Sequence, residues 1–235
     1  MGAQDRESAQ AAAGKPLRVS PLEGHRLWAH TYYAELNPLL ALERRTLAPM
    51  LGALRGLAFL DVACGTGRWL DATLGVGIDL CREMLFQARS KPGVAGRVAQ
   101  ADMRRLPFRD RCADLVLCAF TLAYVEPLER AMAELARVIR PGGQLIASDL
   151  HPQGYRQGWT RSFRSGPQVY EIEHHSYTAE EWIAAAQDAG LDLEQLLEPC
   201  FGEPERSIFL RAGREPLLDR ALDVPAVLIA RWRRR

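Results

Sequence analysis

The sequence predicts an α/β fold: a mostly parallel, seven-stranded sheet with helices on both faces and a helical cap on its N-terminal side. Three observations predict it. From residue 57 onward short apolar runs alternate with segments of helical spacing, the order that builds strand–helix–strand units with right-handed crossovers. The run 113–120 reads as apolar apart from Asp114, as a strand covered on both faces should. Three acidic residues, Asp61, Asp79 and Asp102, stand at or near the ends of successive predicted strands, where open α/β sheets bind their ligands.

Residues 1–16 are Ala, Gln, Gly and scattered charge without an apolar period, and are expected to form a disordered tail. Over 17–54 Leu22, Leu27, Tyr32, Leu36, Leu39, Leu42 and Leu47 recur every three to five residues. That is the spacing of a helical cap, with Pro38 and Pro49 near helix starts. Residues 55–235 form the α/β domain. Strand 57–62 enters the turn Cys64-Gly65-Thr66-Gly67 and a short helix to about Leu74. Strand 76–80 is followed by a helix through Ala88, then by strands 96–101 and 113–120. Helix 126–139 stops at Pro141-Gly142-Gly143, a breaker and turn signal, and strand 144–149 follows. Residues 152–177, rich in Gly, Arg and aromatics, read as a lid inserted into the domain. Thr178 and Glu181 form a capping-box signature for a helix to Asp188 closed by Gly190. Strands 191–197 and 224–232 complete the sheet.

Thirty basic against twenty-nine acidic residues leave no net field to draw in nucleic acid or an anionic membrane. The five cysteines lack C-x-x-C spacing, so neither a disulfide framework nor a zinc site is indicated, and no metal is expected. The first residues lack the basic-then-apolar run of a secretion signal, and no apolar stretch reaches the ~18–20 residues that cross a bilayer. A cytoplasmic protein without membrane or nucleic-acid partners is the expectation. Oligomeric state leaves no trace in the sequence.

The chemistry concentrates in the glycine turn and the three acids. Gly65 and Gly67 permit a tight turn and close approach of backbone to a ligand, and the following helix would offer free N–H groups to a carboxylate or phosphate. Alone, a G-x-G serves equally for close strand–helix packing. Asp79 can accept both hydroxyls of a ribose, or cap the helix that follows it, or both. Asp102 can accept an adenine amino group while Met84 and Met103 pack on the ring faces, although either Met singly reads as core.

The segments LDVACGTGRW, VGIDLCREML, AQADMRRLPF, ADLVLCAFTLAYVE and RVIRPGGQLIASD, in that order over residues 57–149, resemble the successive motifs of class I S-adenosylmethionine-dependent methyltransferases. The similarity is greatest to the small-molecule branch that includes ubiquinone and menaquinone biosynthetic enzymes. The resemblance implies a Rossmann-like fold and S-adenosyl-L-methionine as cofactor, with S-adenosyl-L-homocysteine as product. It implies that Asp61, Ala63, Gly65 and Gly67 form the methionine-end loop. It places Asp79 on the ribose, Leu80 and Met84 in the adenine pocket, Asp102 and Met103 at the adenine edge, and Cys118 beside the sulfonium through its backbone. Tyr32 matches a family Tyr that covers the cofactor. The chain departs from the family at Tyr33, where Asp is usual, at Ala63, where the first loop glycine is usual, and between Gly67 and Asp79, which is about one helical turn short.

Methyl transfer is an in-line displacement that needs alignment, exclusion of water and, for many acceptors, a base. His151, after the strand 144–149, and His174, with His175 beside it in the insertion, are the candidate catalytic bases; a turn cap and a solvent-facing strand position are their structural readings. Arg156, Arg161 and Arg164 could clamp an acceptor anion or form a solvated lid face. The terminal run Arg231-Trp232-Arg233-Arg234-Arg235 reads as a charged end to the last strand rather than an RNA contact. The expected function is transfer of a methyl group from S-adenosylmethionine to an O, N or C nucleophile of a small molecule. Methylation of a tRNA or protein acceptor, or a non-catalytic cofactor-binding module, are the alternatives.

Overall fold

A computed structural model describes residues 15–32, 37–52, 54, 56–70 and 73–235. The seven-stranded sheet is built from β2 (Phe59–Val62), β3 (Val76–Asp79), β4 (Val98–Gln100), β5 (Ala113–Ala119), β6 (Ile139–Leu150), β9 (Leu191–Leu197) and β10 (Val227–Arg234), in the order β4-β3-β2-β5-β6-β10-β9. Strands β2 to β6 pair in parallel, while β10 runs antiparallel to both β6 and β9. The strand order reverses direction between β2 and β5, the topological switch point at which such sheets leave a crevice beyond their carboxyl ends. The expected mostly parallel, Rossmann-like sheet is the one observed.

Strand β5 shows why the sheet sits at the centre of the molecule. Its Val116 and Cys118 enter a core on one face with α4 (Leu128–Val138) and α6 (Ala179–Asp188), sealed by buried Trp182 and Trp232. Its Leu115 and Leu117 enter the opposite core with Phe59, Ile146 and Ile229. There they meet α2 (Pro38–Leu51), α3 (Arg82–Arg89), α7 (Glu203–Arg211) and α8 (Glu215–Ala221). Period-two alternation with both sides apolar is what a strand buried on both faces requires. The capping box of α6 is present: Glu181 N donates to Thr178 Oγ1 at 3.3 Å and Thr178 N donates to Glu181 Oε2 at 2.6 Å.

Several expectations of local structure are corrected. No helix follows the glycine turn among the described residues, which continue as turns to Leu70. The Arg97 guanidinium reaches across and donates to the carbonyls of Leu70, Thr73 and Gly75 at 3.0, 2.9 and 2.6 Å, satisfying groups that a helix would have bonded internally. The expected anion site at that helix's N-terminus is therefore absent from this arrangement. Pro49 lies in the last turn of α2 rather than at a helix start; Pro38 does stand at the first position, behind an Asn37 side chain that accepts from Leu39 N at 2.9 Å. The helices α7 and α8 occupy a stretch in which no element was foreseen. The tail expected over 1–16 falls, apart from Lys15 and Pro16, outside the described residues.

The N-terminal region contributes two helices with different places in the fold. Helix α2 packs on the sheet, whereas α1 (Pro21–Trp28) crosses the carboxyl end and joins a second, smaller sheet. In that sheet β1 (Leu17–Val19) pairs in parallel with β8 (Gln168–Ile172), itself antiparallel to β7 (Ser162–Ser165). The stretch 152–177 thus folds as α5 (Pro152–Arg156) and a hairpin locked to the N-terminus. Trp28 stacks on Phe163 with centroids 5.0 Å apart and Phe163 on Tyr170 at 5.4 Å. Gly24 allows the close approach of α1 to β8, since a β-carbon there would lie 2.7 Å from Ile172 Cγ1.

Candidate active site

A cleft of about 280 Å³ opens where the switch point requires it, between the ends of β2, β3, β4 and β5 and the roof made by α1. Its size is near the lower end of small-ligand sites, roughly 300–1,000 Å³. Of the residues singled out in the sequence, Tyr32, Ala63, Gly65, Asp79, Leu80, Met84, Asp102 and Met103 all line it. Residues from four separate strand ends meet there because each parallel strand delivers its carboxyl end to the same edge.

The loop after β2 takes its shape from left-handed backbone: Ala63 has φ 60°, Gly65 φ 53° and Gly67 φ 71°. Ala63 therefore adopts the conformation that glycine holds most easily, at a cost of about 1–2 kcal/mol for a residue with a β-carbon. The loop forms all the same because Asp79 ties it down. Asp79 Oδ2 accepts from Gly65 N and Oδ1 from Cys81 N, each at 2.7 Å. Burial pushes the Asp79 carboxyl upward, against the pull of those two amides and of His25 nearby. Asp102 is half-exposed and held by Arg104, with Arg104 Nη2 donating to Oδ2 at 2.7 Å; that bond is the main reason its pKa lies below the ordinary carboxylate value. Met84 and Met103, both buried, present apolar surface to the same cleft.

Three of the singled-out residues lie off the cleft surface. Asp61, in the middle of β2, is 1 % exposed. Its side chain lies on the α2 side, near a buried polar cluster in which Glu43 accepts from Arg68 Nη1 and from Ser148 Oγ, the latter at 2.6 Å. Asp61 Oδ2 has no hydrogen-bond partner among the described residues. Burial raises its pKa to about 7, helped by the charges of Asp79 and Glu43 and opposed by Arg68. Gly67 serves packing: a β-carbon there would press within 3.3 Å of Ala88 and Val94. Cys118 points into the core on the α4 face, and the strand continues one residue further, so Ala119, Phe120 and Thr121 reach the cleft instead.

The predicted bases are engaged elsewhere. His151 caps α5: its Nδ1 accepts from Gln153 N at 3.0 Å, and its Nε2 donates to Glu198 Oε1 at 2.9 Å. His174 donates from Nδ1 to the Ile172 carbonyl at 2.9 Å and stacks on Tyr155 at 4.3 Å. His175 is exposed beside Glu126. None of the three lines the cleft. Arg161 is neither an open clamp nor a solvated residue. It forms a buried ion pair with Asp149 and donates to Tyr155 Oη at 2.9 Å and Tyr124 Oη at 3.0 Å, while Arg156 and Arg164 are exposed.

Sequence reasoning missed His25 and Tyr124, which line the cleft with their rings edge-to-face at 5.0 Å. The only available signal for His25 was its place on the α1 helix that roofs the site, and that roofing is a tertiary fact. Tyr124 lies in the segment 113–126, where no local pattern marks it for a role.

The donor set fits an adenosyl sulfonium cofactor. Asp61 offers an orphaned buried oxygen near the glycine loop, and a β-carbon at Gly65 would project into open space. Asp79 and Asp102 present carboxylates beside two methionines. Fold and site together resemble those of class I S-adenosylmethionine-dependent methyltransferase domains. Residues 60–147 match the family model described as a methyltransferase domain. The chain is 36% identical over 135 residues to the ubiquinone/menaquinone biosynthesis C-methyltransferase UbiE of Stutzerimonas stutzeri, covering 52% of this chain and 47% of that one. It is also 36% identical over 109 residues to the malonyl-[acyl-carrier protein] O-methyltransferase of Pectobacterium atrosepticum, covering 44% and 43%. The chain thus spans about half the length of these curated relatives. An S-adenosylmethionine-dependent methyltransferase from Mesorhizobium loti shares the fold, with a TM-score of 0.65 at 23% identity, over 84% of this chain and all of that one.

Proposed function

We propose that this protein transfers the methyl group of S-adenosylmethionine to a nucleophilic O, N or C atom of a small, largely apolar molecule. The observation that carries the proposal is the convergence of Ala63, Gly65, Asp79, Leu80, Met84, Asp102 and Met103 on one cleft at the sheet's switch point. In this reading Asp79 holds the ribose hydroxyls and Asp102 meets the adenine edge, while Asp61 acts on the ammonium end from behind the glycine loop rather than from the cleft wall. When bound, the cofactor supplies an electrophilic methyl group on a sulfonium sulfur. The chain's own residues bind, orient and exclude water. The roof of Ser20, Leu22, His25 and Tyr32 covers the cleft, and Phe120, Tyr124 and Val125 give its remaining wall an aromatic and apolar character. Arg161 keeps its charge against Asp149, which favours an uncharged acceptor.

The C-terminal arginines support a small molecule over an RNA acceptor. Arg231 and Arg233 pair with Glu194, Arg235 with Asp192, and Arg234 donates to the Gly190 carbonyl. Among the described residues no helix is long and apolar enough to cross a membrane, and a cytoplasmic enzyme is consistent with that. Isothermal calorimetry with S-adenosylhomocysteine tests the proposal: the wild type binds, and Asp79→Ala weakens binding by about 1–3 kcal/mol. Equal affinity in the variant overturns the ribose assignment. Binding without methylation of any small molecule in a radiolabelled-donor screen favours a binding module.

A further inference from the structure

We propose that His25 is the general base of the transfer, taking the proton of an acceptor that carries its nucleophile as X–H. This rests on the methyltransferase reading and identifies the kind of acceptor the site is made for.

Of the five histidines, His25 is the one lining the cleft among the described residues. Its tautomer is dictated by its surroundings. Nδ1 lies 2.7 Å from the Pro21 carbonyl oxygen, which can only accept, so Nδ1 carries the hydrogen. Nε2 then holds a lone pair and has no hydrogen-bond partner among the described residues. A histidine placed only to brace the helix would have no need of a vacant ε-nitrogen at a ligand cleft.

Other groups near it are already committed. Asp79 accepts from the Gly65 and Cys81 amides and is assigned to the ribose, and Asp102 is held by Arg104. Burial and the Arg161 charge lower the pKa of His25, while Asp79 and the Pro21 carbonyl raise it, burial being the largest influence. The ring is therefore neutral, and able to accept, at pH 7. Tyr124 sits edge-on against the imidazole at 5.0 Å and is itself fixed by the Arg161 donor at 3.0 Å. Tyr124 thus acts as a positioning residue for the base.

The step balances without a further reagent. Nε2 takes the proton from X–H as the X–CH₃ bond forms and the CH₃–S bond breaks, its electron pair remaining on sulfur. The imidazolium then releases the proton to solvent. An acceptor hydroxyl, phenol, acidic carbon or protonated amine satisfies this chemistry; a nucleophile without a removable proton has no use for it.

The test uses the full chain with S-adenosylhomocysteine. Nitrogen NMR of histidine-labelled protein in that complex should show His25 neutral, protonated at Nδ1 at pH 7 and titrating below 6.5. A ring protonated at Nε2, or an imidazolium at pH 7, overturns the proposal. His25→Gln should bind S-adenosylhomocysteine within about twofold of wild type, since the base touches the acceptor. It should lower kcat by about 10²-fold on whichever of catechol, demethylmenaquinol and phenethylamine the wild type methylates, with KM little changed. The acid limb of the wild-type pH profile should vanish in the variant. An unchanged kcat and profile, or a loss confined to KM, overturns the base assignment. Failure of the wild type to bind S-adenosylhomocysteine instead removes the methyltransferase reading itself, and the free-protein tautomer still decides whether His25 can accept a proton.

Discussion

Asp61 has a buried carboxylate with one oxygen unpartnered among the described residues and a pKa raised to about 7. Its ordinary value is near 4, so between pH 4 and 7 the folded state keeps a proton that the unfolded chain has lost, and stability falls as pH rises through that window. Asp61→Asn removes the titration. The variant without cofactor should be more stable than wild type by about 1–3 kcal/mol at pH 8, with the gap closing toward pH 4, as chemical denaturation at the two pH values would show. A gap that is the same at both pH values counts against a raised pKa. The same residue is expected to matter for the cofactor, so a gain in stability should accompany a loss of affinity. Ala63 is the reverse case, a small side chain in left-handed backbone at φ 60°. Ala63→Gly should raise stability by up to about 1 kcal/mol, measurable as a shift in denaturation midpoint with unchanged slope.

The elements around the cleft are joined by a few specific contacts rather than by propensity. Helix α1 is held on β8 by the absence of a side chain at Gly24, where a β-carbon would sit 2.7 Å from Ile172 Cγ1. Gly24→Ala should destabilise by about 1–3 kcal/mol through overpacking. Because α1 carries the roof of the cleft, it should also speed dissociation of S-adenosylhomocysteine in stopped-flow measurements. An unaltered off-rate would mean that the roof does not gate the site. On the other side of the sheet, α2 is joined to the glycine loop by the buried Glu43–Arg68 pair and to β6 by Glu43 and Ser148. Arg68→Ala leaves the Glu43 carboxylate buried without its counter-ion and should cost about 3–5 kcal/mol. The double variant with Glu43→Leu should recover most of that, a coupling that denaturation of the three variants would reveal.

At the scale of the whole molecule, the cofactor is expected to bind only the folded chain, since its contacts come from strand ends far apart in sequence. At a hundredfold excess over Kd, S-adenosylhomocysteine should add about 2.7 kcal/mol and raise Tm by about 5–10 °C. Asp79→Ala should lose most of that shift at the same ligand concentration. A wild-type Tm indifferent to the ligand would contradict a site assembled at the switch point. The two cores on either face of the sheet share β5 and β6, so a single unfolding transition is expected.

Much of this architecture was legible from residue order alone. Apolar alternation, breaker dipeptides and the Thr178–Glu181 box are local signals, and local signals translate directly into strands, stops and caps. The convergence of Asp79, Leu80, Asp102 and Met103 on one side of the cleft was legible too, because parallel strands must deliver their carboxyl ends to one common edge. The acceptor side was not. Whether a histidine serves as a cap, as His151 does, or stands at a cleft with a vacant nitrogen, as His25 does, depends on which distant segment packs over it. Nothing in the spacing of α1 says that it will pair with a hairpin some 150 residues away and roof the site. Nor does the sequence show that Arg161 will be drawn inward by Asp149. Short-range pattern specified the sheet and its ligand edge; the choice of base and the character of the acceptor wall came only from long-range packing, in which burial and counter-charge decide what each side chain is free to do.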